Sequence, residues 1–338
     1  MSSDFGYINA RIRGMKAKLL EPEFYTQALA DTDFRAFTGT VAQTSYVADL
    51  EEAQARTSGL EALDWAVAQN FRRTARSILD FSDGRPGELL TLFLLSYDLM
   101  NLKTLARAKH AGRDAESALD VALPAGEMRP ALIETLAAAP DLPSMAQALA
   151  VTGHPLSRAF SAAVRRYAQE GELYTLELTL DRFCYKSLLD ALDEYDAPRE
   201  LRRHVKREID ATNLRTALKL RGRTVAREEL YVPGGAEIDR GTFDAIIADT
   251  SKSALSALAG SAFAEVAETD SLSEADAVIR GILDESAHRV ALSDPLGPGV
   301  ALDFLRKKEA EAAKLRLLAR GKFYDVPREQ LERELGNA

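Results

Sequence analysis

The sequence predicts an all-α protein made of three similar helical domains in tandem. Three observations lead to this fold class: apolar residues recur at helical spacing, a helical motif is repeated, and prolines and glycines gather in short breaks. In the first long pattern, Leu60, Leu63, Val67 and Phe71 stand at i, i+3, i+7 and i+11. This spacing places the four side chains on one face of a helix, as a core-facing helix requires.

One stretch also has the period of a strand. Tyr174, Leu176 and Leu178 alternate with polar residues, which is typical of a half-buried strand. Leu176 and Leu180 also fit one helical face, and residues 169–192 contain no proline. We therefore predict a helix here.

Several short motifs indicate where helices begin and end. Ser144–Gln147 and Ser271–Glu274 each have the Ser-x-x-Gln/Glu form of a capping box. The turn-forming residues of Tyr231–Gly235 and Asp294–Gly299 predict breaks between helices. Prolines that suit the first turn of a further helix are Pro86, Pro198 and Pro298.

A repeated motif is the most informative feature of the chain. Asp98–Leu105 reads Asp-x-x-Asn-Leu-Lys-Thr-Leu, and Asp210–Ala217, 112 residues later, reads Asp-x-x-Asn-Leu-Arg-Thr-Ala. A weaker third copy begins at Glu309, with Ala312 in the asparagine position and Lys314 in the basic position. A unit of about 100 residues is too long for a solenoid repeat and favours a small helical domain present in three copies.

A long amphipathic stretch precedes each copy of the motif. These stretches are Leu60–Phe81, Leu173–Leu192 and Ala275–Leu292. We expect three domains, which cover residues 1–125 with the N-terminal segment, 126–232 and 233–338.

Composition limits the classes of function. The chain has 338 residues, of which 46% are hydrophobic and 28% charged, so it is large enough for substantial cores and unlike a disordered protein. It carries 52 acidic against 43 basic residues, a formal charge of −9. Binding to nucleic acid normally requires a basic surface, so this balance argues against nucleic acid as the main partner.

The sequence indicates a cytosolic chain that reaches a membrane only through a partner. Its longest apolar run, Leu89–Leu95, is far shorter than the roughly 18–20 residues of a membrane span. Met1–Lys18 is basic but lacks the apolar core of a signal peptide. Cys184 is the single cysteine and lies between Phe183 and Tyr185, which predicts a buried structural thiol and excludes a disulfide framework.

Sequence motifs of catalysis are missing. Gly321-Lys322 is followed by Phe323 instead of the Ser or Thr of a phosphate-binding loop, and Gly297-Pro298-Gly299 lacks the third glycine of a dinucleotide fingerprint. No two histidines stand four residues apart as a helical metal site requires. We expect no catalytic residue, cofactor or metal, and we interpret the histidines as surface or cap residues. They are His110, His154, His204 and His288.

The polar residues of the repeated motif are the candidate contacts with a partner. They are structural if the leucines face the core and each asparagine bonds a neighbouring helix. Alternatively, three equivalent helices around a pseudo-threefold axis present their basic residues as a ring, which suits a rod-shaped partner. The candidates are Asn101, Lys103, Arg107, Asn213, Arg215, Lys219, Arg316 and Arg320.

Segments spread along the chain resemble the C-subunit family of bacterial V/A-type rotary ATPases, whose eukaryotic counterpart is the d subunit of the V-ATPase. No single motif is decisive, and the order and spacing of the segments carry the resemblance, which extends from about Asp4 to Val326. The segments are Asp4–Arg13, Asp98–Leu102, Gly153–Leu156, Asn213–Lys219, Asp294–Gly297 and Arg316–Arg320.

The resemblance implies a funnel of three helical domains with pseudo-threefold symmetry and no catalytic residues. It implies a non-catalytic central-stalk subunit of a proton- or sodium-translocating ATPase or ATP synthase. In that complex the wide end rests on the cytoplasmic face of the proteolipid rotor ring, at the inner face of the cell membrane. The socket receives the D and F subunits of the central shaft, and torque passes through it between shaft and ring. A transient contact with the stator membrane subunit is expected. Nucleic-acid binding and direct membrane insertion are not expected.

Two other classes of function stay open. One is a stand-alone helical scaffold or adaptor, which would not bring down shaft or ring subunits. The other is a helical enzyme with an unrecognised site, which predicts turnover by the purified chain alone.

Overall fold

The computed structural model describes residues 5–119, 122–123, 125–223 and 230–336. These residues form sixteen α-helices and two 3-10 helices, with no strand among them. The predicted all-α class is confirmed.

The sixteen α-helices follow one another along the described part of the chain. Their bounds are α1 Gly6–Lys16, α2 Pro22–Ala30, α3 Phe34–Val41, α4 Val47–Gln54, α5 Gly59–Asp80, α6 Gly84–His110, α7 Ala115–Leu119, α8 Pro130–Ala138, α9 Leu142–Ala150, α10 Ser157–Glu170, α11 Leu173–Glu194, α12 Arg199–Leu220, α13 Arg240–Ala248, α14 Leu272–Ser293, α15 Gly299–Phe323 and α16 Arg328–Gly336. The 3-10 helices, Lys252–Leu258 and Ala264–Glu268, lie between α13 and α14.

The first of two compact units contains both ends of the chain, residues 1–86 and 290–338. Its helix α15 packs against α1, α3, α5 and α16, and the core around it buries Phe37, Phe71 and Phe304. Gly321 allows the close approach of α16, because a Cβ at this position would lie 2.1 Å from Cδ2 of Leu331. The C-terminal helices therefore complete a core that the N-terminal helices begin.

The second compact unit, residues 87–289, holds two large hydrophobic clusters. One cluster joins α6, α8, α9, α10 and α11 around residues such as Phe160 and Leu176. The other joins α12, α13, the two 3-10 helices and α14 around residues such as Phe243 and Phe263. The unit boundaries differ from the three predicted domain boundaries, and the threefold division stays a prediction.

The ambiguous stretch at residues 173–192 is helix α11, as predicted. Leu176 and Leu180 enter the first large cluster, whereas Leu178 packs with Ile209 and Val232 in a separate small one. A helix that is buried on two sides has apolar residues at closer spacing than an amphipathic helix. This second buried side explains the apparent strand period.

Of the two predicted capping boxes, the one at Ser271 is confirmed for its serine cap, although its glutamate bonds the residue before the cap, and the one at Ser144 is wrong. At α14 the Ser271 hydroxyl accepts from the backbone N–H of Glu274, and the Glu274 carboxylate accepts from that of Asp270. Helix α9 begins three residues earlier than predicted, because Asp141 is its cap and accepts from the N–H of Ser144. The breaks predicted at residues 231–235 and 294–299 are both present.

Helix α6 differs from the expectation that every apolar stretch of the sequence is too short to span a membrane. Among the described residues it is long and apolar enough to cross a bilayer. Beyond Leu95 the helix continues with further apolar residues, such as Tyr97, Leu99 and Met100, between polar ones. In this structure 67% of its most apolar part is buried inside the protein, as in the core helix of a globular domain.

Candidate functional site

The motif helix of the first copy, α6, holds the loop that follows it through two buried side chains. Asn101 donates from Nδ2 to the Leu123 carbonyl at 2.8 Å and accepts the Leu123 N–H on Oδ1 at 2.7 Å. The Asp98 carboxylate accepts the N–H groups of Glu127 at 2.8 Å and Met128 at 3.1 Å. Each of these buried polar atoms therefore has a partner, as close packing requires.

The motif helix of the second copy, α12, makes the same contacts. Asn213 donates to the Val232 carbonyl and accepts the Val232 N–H, both at 2.8 Å. Asp210 accepts the three successive N–H groups of residues 236–238 at 2.9, 2.9 and 3.0 Å. Burial raises the pKa of the Asp210 carboxyl, and these N–H groups oppose the rise. We call each Asp–Asn pair, with the loop that it holds, a loop clamp.

Each loop clamp depends on a glycine. A Cβ at Gly126 would lie 2.4 Å from the carboxylate of Asp98, and one at Gly235 would lie 2.0 Å from Oδ1 of Asp210. Both glycines end an aliphatic-Pro-x-Gly string that begins at the clamped residue, Leu123 or Val232. This second repeated string could have been found in the sequence and was missed.

The third copy, on α15, has a different and charged version of the clamp. Glu311 accepts the backbone N–H of Leu20 at 2.5 Å and the hydroxyl of Tyr46 at 2.8 Å. The ammonium group of Lys308, 2.6 Å from the Glu311 carboxylate, completes the cluster. The polar position of this copy is therefore Glu311, one residue before Ala312, and the clamped residue comes from the N-terminal segment.

The charges of this third clamp are almost completely buried. Lys308 and Glu311 are each 4% exposed. Burial lowers the pKa of Lys308, and the nearby Glu311 carboxylate opposes that effect. Burial, followed by the same carboxylate, raises the pKa of Tyr46 well above its ordinary value. The cluster thus favours a single arrangement of donors and acceptors between the N-terminal segment and α15.

The basic residues of the motif helices form ion pairs with the long helices of other copies. On α6, Lys103 pairs with Asp181, and Arg107 makes a bidentate contact with Glu177 at 2.7 and 2.6 Å, both partners lying on α11. This contact raises the pKa of Arg107. On α12, Arg215 pairs with Asp276 of α14 at 2.6 Å.

The third motif helix is paired with the long helix of the first copy. Arg320 lies 2.8 Å and Arg316 3.8 Å from the carboxylate of Asp64 on α5. Burial raises the pKa of the Asp64 carboxyl, while the two guanidinium groups act in the opposite direction. The motif helix of the first copy is thus paired with α11, that of the second with α14, and that of the third with α5.

The structure separates the eight candidate residues into three groups. Asn101 and Asn213 are 1% and 0% exposed, and their amides are used by the loop clamps, so they present no surface to a partner here. The five residues in ion pairs are Lys103, Arg107, Arg215, Arg316 and Arg320. Lys219 is exposed and has no ion pair within the described part of the chain; it borders a shallow cleft of about 260 Å³ with Arg215 and Leu272.

The histidines include two core residues, which corrects the expectation of surface or cap positions. His204 is fully buried, and His154 is 6% exposed and bonds Asp98 at 3.1 Å through Nε2. Its Nδ1 accepts the N–H of Leu156, so the ring proton lies on Nε2. The described residues contain no group of three or more His, Cys, Asp or Glu side chains placed to hold a metal ion.

Comparison with known proteins identifies the family. The model of the ATP synthase (C/AC39) subunit family matches residues 8–334. The V-type ATP synthase C subunit of Deinococcus radiodurans is 37% identical, covering 99% of this chain and 92% of its own length. That of Thermus thermophilus is 34% identical over 99% of both chains, and the A-type ATP synthase C subunit of Haloferax volcanii is 26% identical over 97% and 96%. The chain belongs to the ATP synthase (C/AC39) subunit family, that of the C subunits of V-type and A-type ATP synthases.

Proposed function

We propose that this chain is a non-catalytic central-stalk subunit that joins the D and F subunits of the shaft to the proteolipid rotor ring and transmits torque between them. The observation that carries the proposal is the family match over almost the whole chain. Our proposal places the chain at the inner face of the cell membrane, held there by the complex, with a transient contact to the stator membrane subunit.

The ion pairs and loop clamps support a mechanical task. A protein that transmits torque must resist relative movement of its helices, and close packing with satisfied buried polar groups provides such resistance. Each motif helix holds its clamped loop or segment and the long helix of another copy. The third copy uses Leu20 and Asp64 from the N-terminal part of the chain. This cyclic order supports our proposal of three domains, covering residues 1–125, 126–232 and 233–338, arranged as a pseudo-threefold funnel.

The exposed basic residues are the best candidates for contacts with the shaft or the ring. The side chains of Arg107 and Arg320 are 57% and 52% exposed although each has a carboxylate partner. Lys219 has no such partner among the described residues and is the most available of the eight. We assign the remaining candidates a supporting part, in which they fix the helices that carry these three side chains.

Affinity capture from a co-expressed complex tests the proposal. The tagged full-length chain should recover the D and F subunits and, in detergent, the proteolipid ring. Lys219→Glu should lower the recovery of one of these partners. Lys186→Glu is the matched control, because Lys186 is exposed on α11 and its one ion pair within the described residues is with Asp190, one turn away. Recovery of neither shaft nor ring would overturn the central-stalk proposal and favour a stand-alone scaffold.

The enzyme alternative is tested with the same preparation. We expect the purified chain alone to show no ATP hydrolysis above a buffer control. Turnover that co-purifies with the chain and survives removal of all partner subunits would overturn the non-catalytic assignment.

A further inference from the structure

We propose that the outer face of α1 binds the surface of an anionic phospholipid bilayer. We define this face as Tyr7 and Arg11 of α1 and Lys18 in the turn that follows it, together with Arg13 and Leu296 on its flank. The proposal concerns the isolated chain and does not depend on the central-stalk function. It adds a direct contact with a bilayer to the association through partners that the sequence predicts.

The charge of this segment is opposite to that of the whole chain. Between Phe5 and Leu20 there are four basic residues and no acidic one, in a chain whose formal charge is −9. Lys16 is paired with Asp303, whereas Arg11, Arg13 and Lys18 form no ion pair with any described residue. A short segment with unneutralised cations is attracted to an anionic surface even when the whole protein is acidic.

The geometry of α1 directs these cations outward. Ile8 and Ile12 are buried, and Tyr7 and Arg11, one turn apart, are exposed. Tyr7 is 62% exposed, and its hydroxyl accepts from Arg11 at 2.8 Å. The Arg11 guanidinium stacks over the ring of Phe81, 4.8 Å from its centroid. The arginine is therefore held in place on the surface by aromatic contacts, and it forms no ion pair with the residues that the structure describes.

The flank of the face adds an exposed apolar side chain beside another cation. Arg13 donates to the carbonyl of Pro295 at 2.8 Å, and the next residue, Leu296, is 46% exposed. The Asp294 carboxylate nearby accepts the N–H of Leu296 within its own turn. Arginine, tyrosine and leucine together suit the boundary between lipid headgroups and acyl chains.

A bilayer fits this face better than an acidic protein surface. From Tyr7 to Lys16 the helix extends about 14 Å, and Lys18 follows in the turn after it. A protein partner would need carboxylates fixed at matching positions. Mobile headgroups adapt to any spacing, so the less defined surface favours lipid.

Flotation of the full-length chain with lipid vesicles tests the proposal. We expect the chain to float with vesicles that contain phosphatidylglycerol and to stay behind with vesicles of phosphatidylcholine alone. Added salt should weaken binding, because it screens exposed charges. Removing one cation should weaken binding about five-fold, and Arg11→Gln/Arg13→Gln about thirty-fold, from the usual contribution of one basic residue near an anionic membrane.

Two further variants keep the test decisive. Lys18→Gln removes a cation whose side chain has no hydrogen bond within the described residues, so reduced binding by this variant cannot come from unfolding. Arg56→Gln/Lys186→Gln has the same net charge as the double variant and removes exposed cations that pair with Glu52 and Asp190. This control should bind as the wild type does. Three results of the flotation assay would overturn the proposal: equal binding to vesicles with and without phosphatidylglycerol, no binding to either, or an equal loss of binding in the control variant. Capture of an acidic protein through Arg11 without vesicle binding would also overturn it.

Discussion

Replacing Asn213 by alanine tests whether the loop clamp stabilises the fold. The side chain is fully buried, and both of its hydrogen bonds, each 2.8 Å, go to the backbone of Val232, which is 1% exposed. Alanine would leave a buried N–H and a buried carbonyl without partners. An unsatisfied buried group costs about 1–3 kcal/mol, so two such groups cost about 2–6 kcal/mol. We expect the free energy of unfolding to fall by ~3 kcal/mol, because water entering the space left by the amide offsets part of that cost.

Denaturant unfolding and amide hydrogen exchange measure this loss at two levels. Unfolding followed by circular dichroism should give a lower midpoint for Asn213→Ala, and the Val232 amide should exchange much faster than in the wild type. Thr216→Ala is the control on the same helix. Among the described residues its hydroxyl bonds the carbonyl of Thr212, one turn earlier, and nothing else, so its replacement should change the free energy of unfolding by no more than about 0.5 kcal/mol. An Asn213→Ala protein as stable as this control, with a protected Val232 amide, would refute the reasoning.

Three other predictions follow from buried groups. Lys308→Met and Glu311→Gln should each destabilise the protein by about 3–5 kcal/mol, because each leaves a buried charge without its partner. The double variant Lys308→Met/Glu311→Leu should recover part of that loss in the same unfolding assay, and single variants as stable as the wild type would contradict this prediction. Burial raises the pKa of the Cys184 thiol to about 12, so a thiol reagent near neutral pH should modify it only after unfolding, and fast modification of the native chain would refute the buried position. The pKa of Tyr46 is raised above its ordinary value of 10.0, so the stabilisation from its protonated hydroxyl is complete below pH 10 and is lost as the pH rises through the pKa of the folded state. Ultraviolet titration should show a late step that Tyr46→Phe removes, and an unchanged titration of this variant would contradict the prediction.

The helices were predictable because their signals are local. Helical spacing, the capping box at Ser271 and the breaks at residues 231–235 and 294–299 each depend on neighbours within a few positions. The failure at Ser144 has the same origin, since two acceptors compete for one helix start. Asp141 is the actual cap, and the Leu-Pro that follows it fits the first turn.

The partners of the motif residues were not predictable, because they lie far away in sequence. The repeat identified Asn101 and Asn213 as polar positions but not the backbone groups that they hold. Glu311 was missed because its clamp uses a different side chain, and its partner, Leu20, is 291 residues away. A short local repeat shows which residues are equivalent, whereas only the structure shows what each equivalent residue touches.

The composition of the first compact unit has a consequence for synthesis on the ribosome. Residues 1–86 emerge first, but the helix around which they pack, α15, is translated after residue 298. The second unit, residues 87–289, is contiguous and can fold while translation continues. The surfaces of α1, α3 and α5 that pack on α15 therefore stay without that helix through most of elongation. This delay leaves apolar surface of the N-terminal helices open to a chaperone during synthesis.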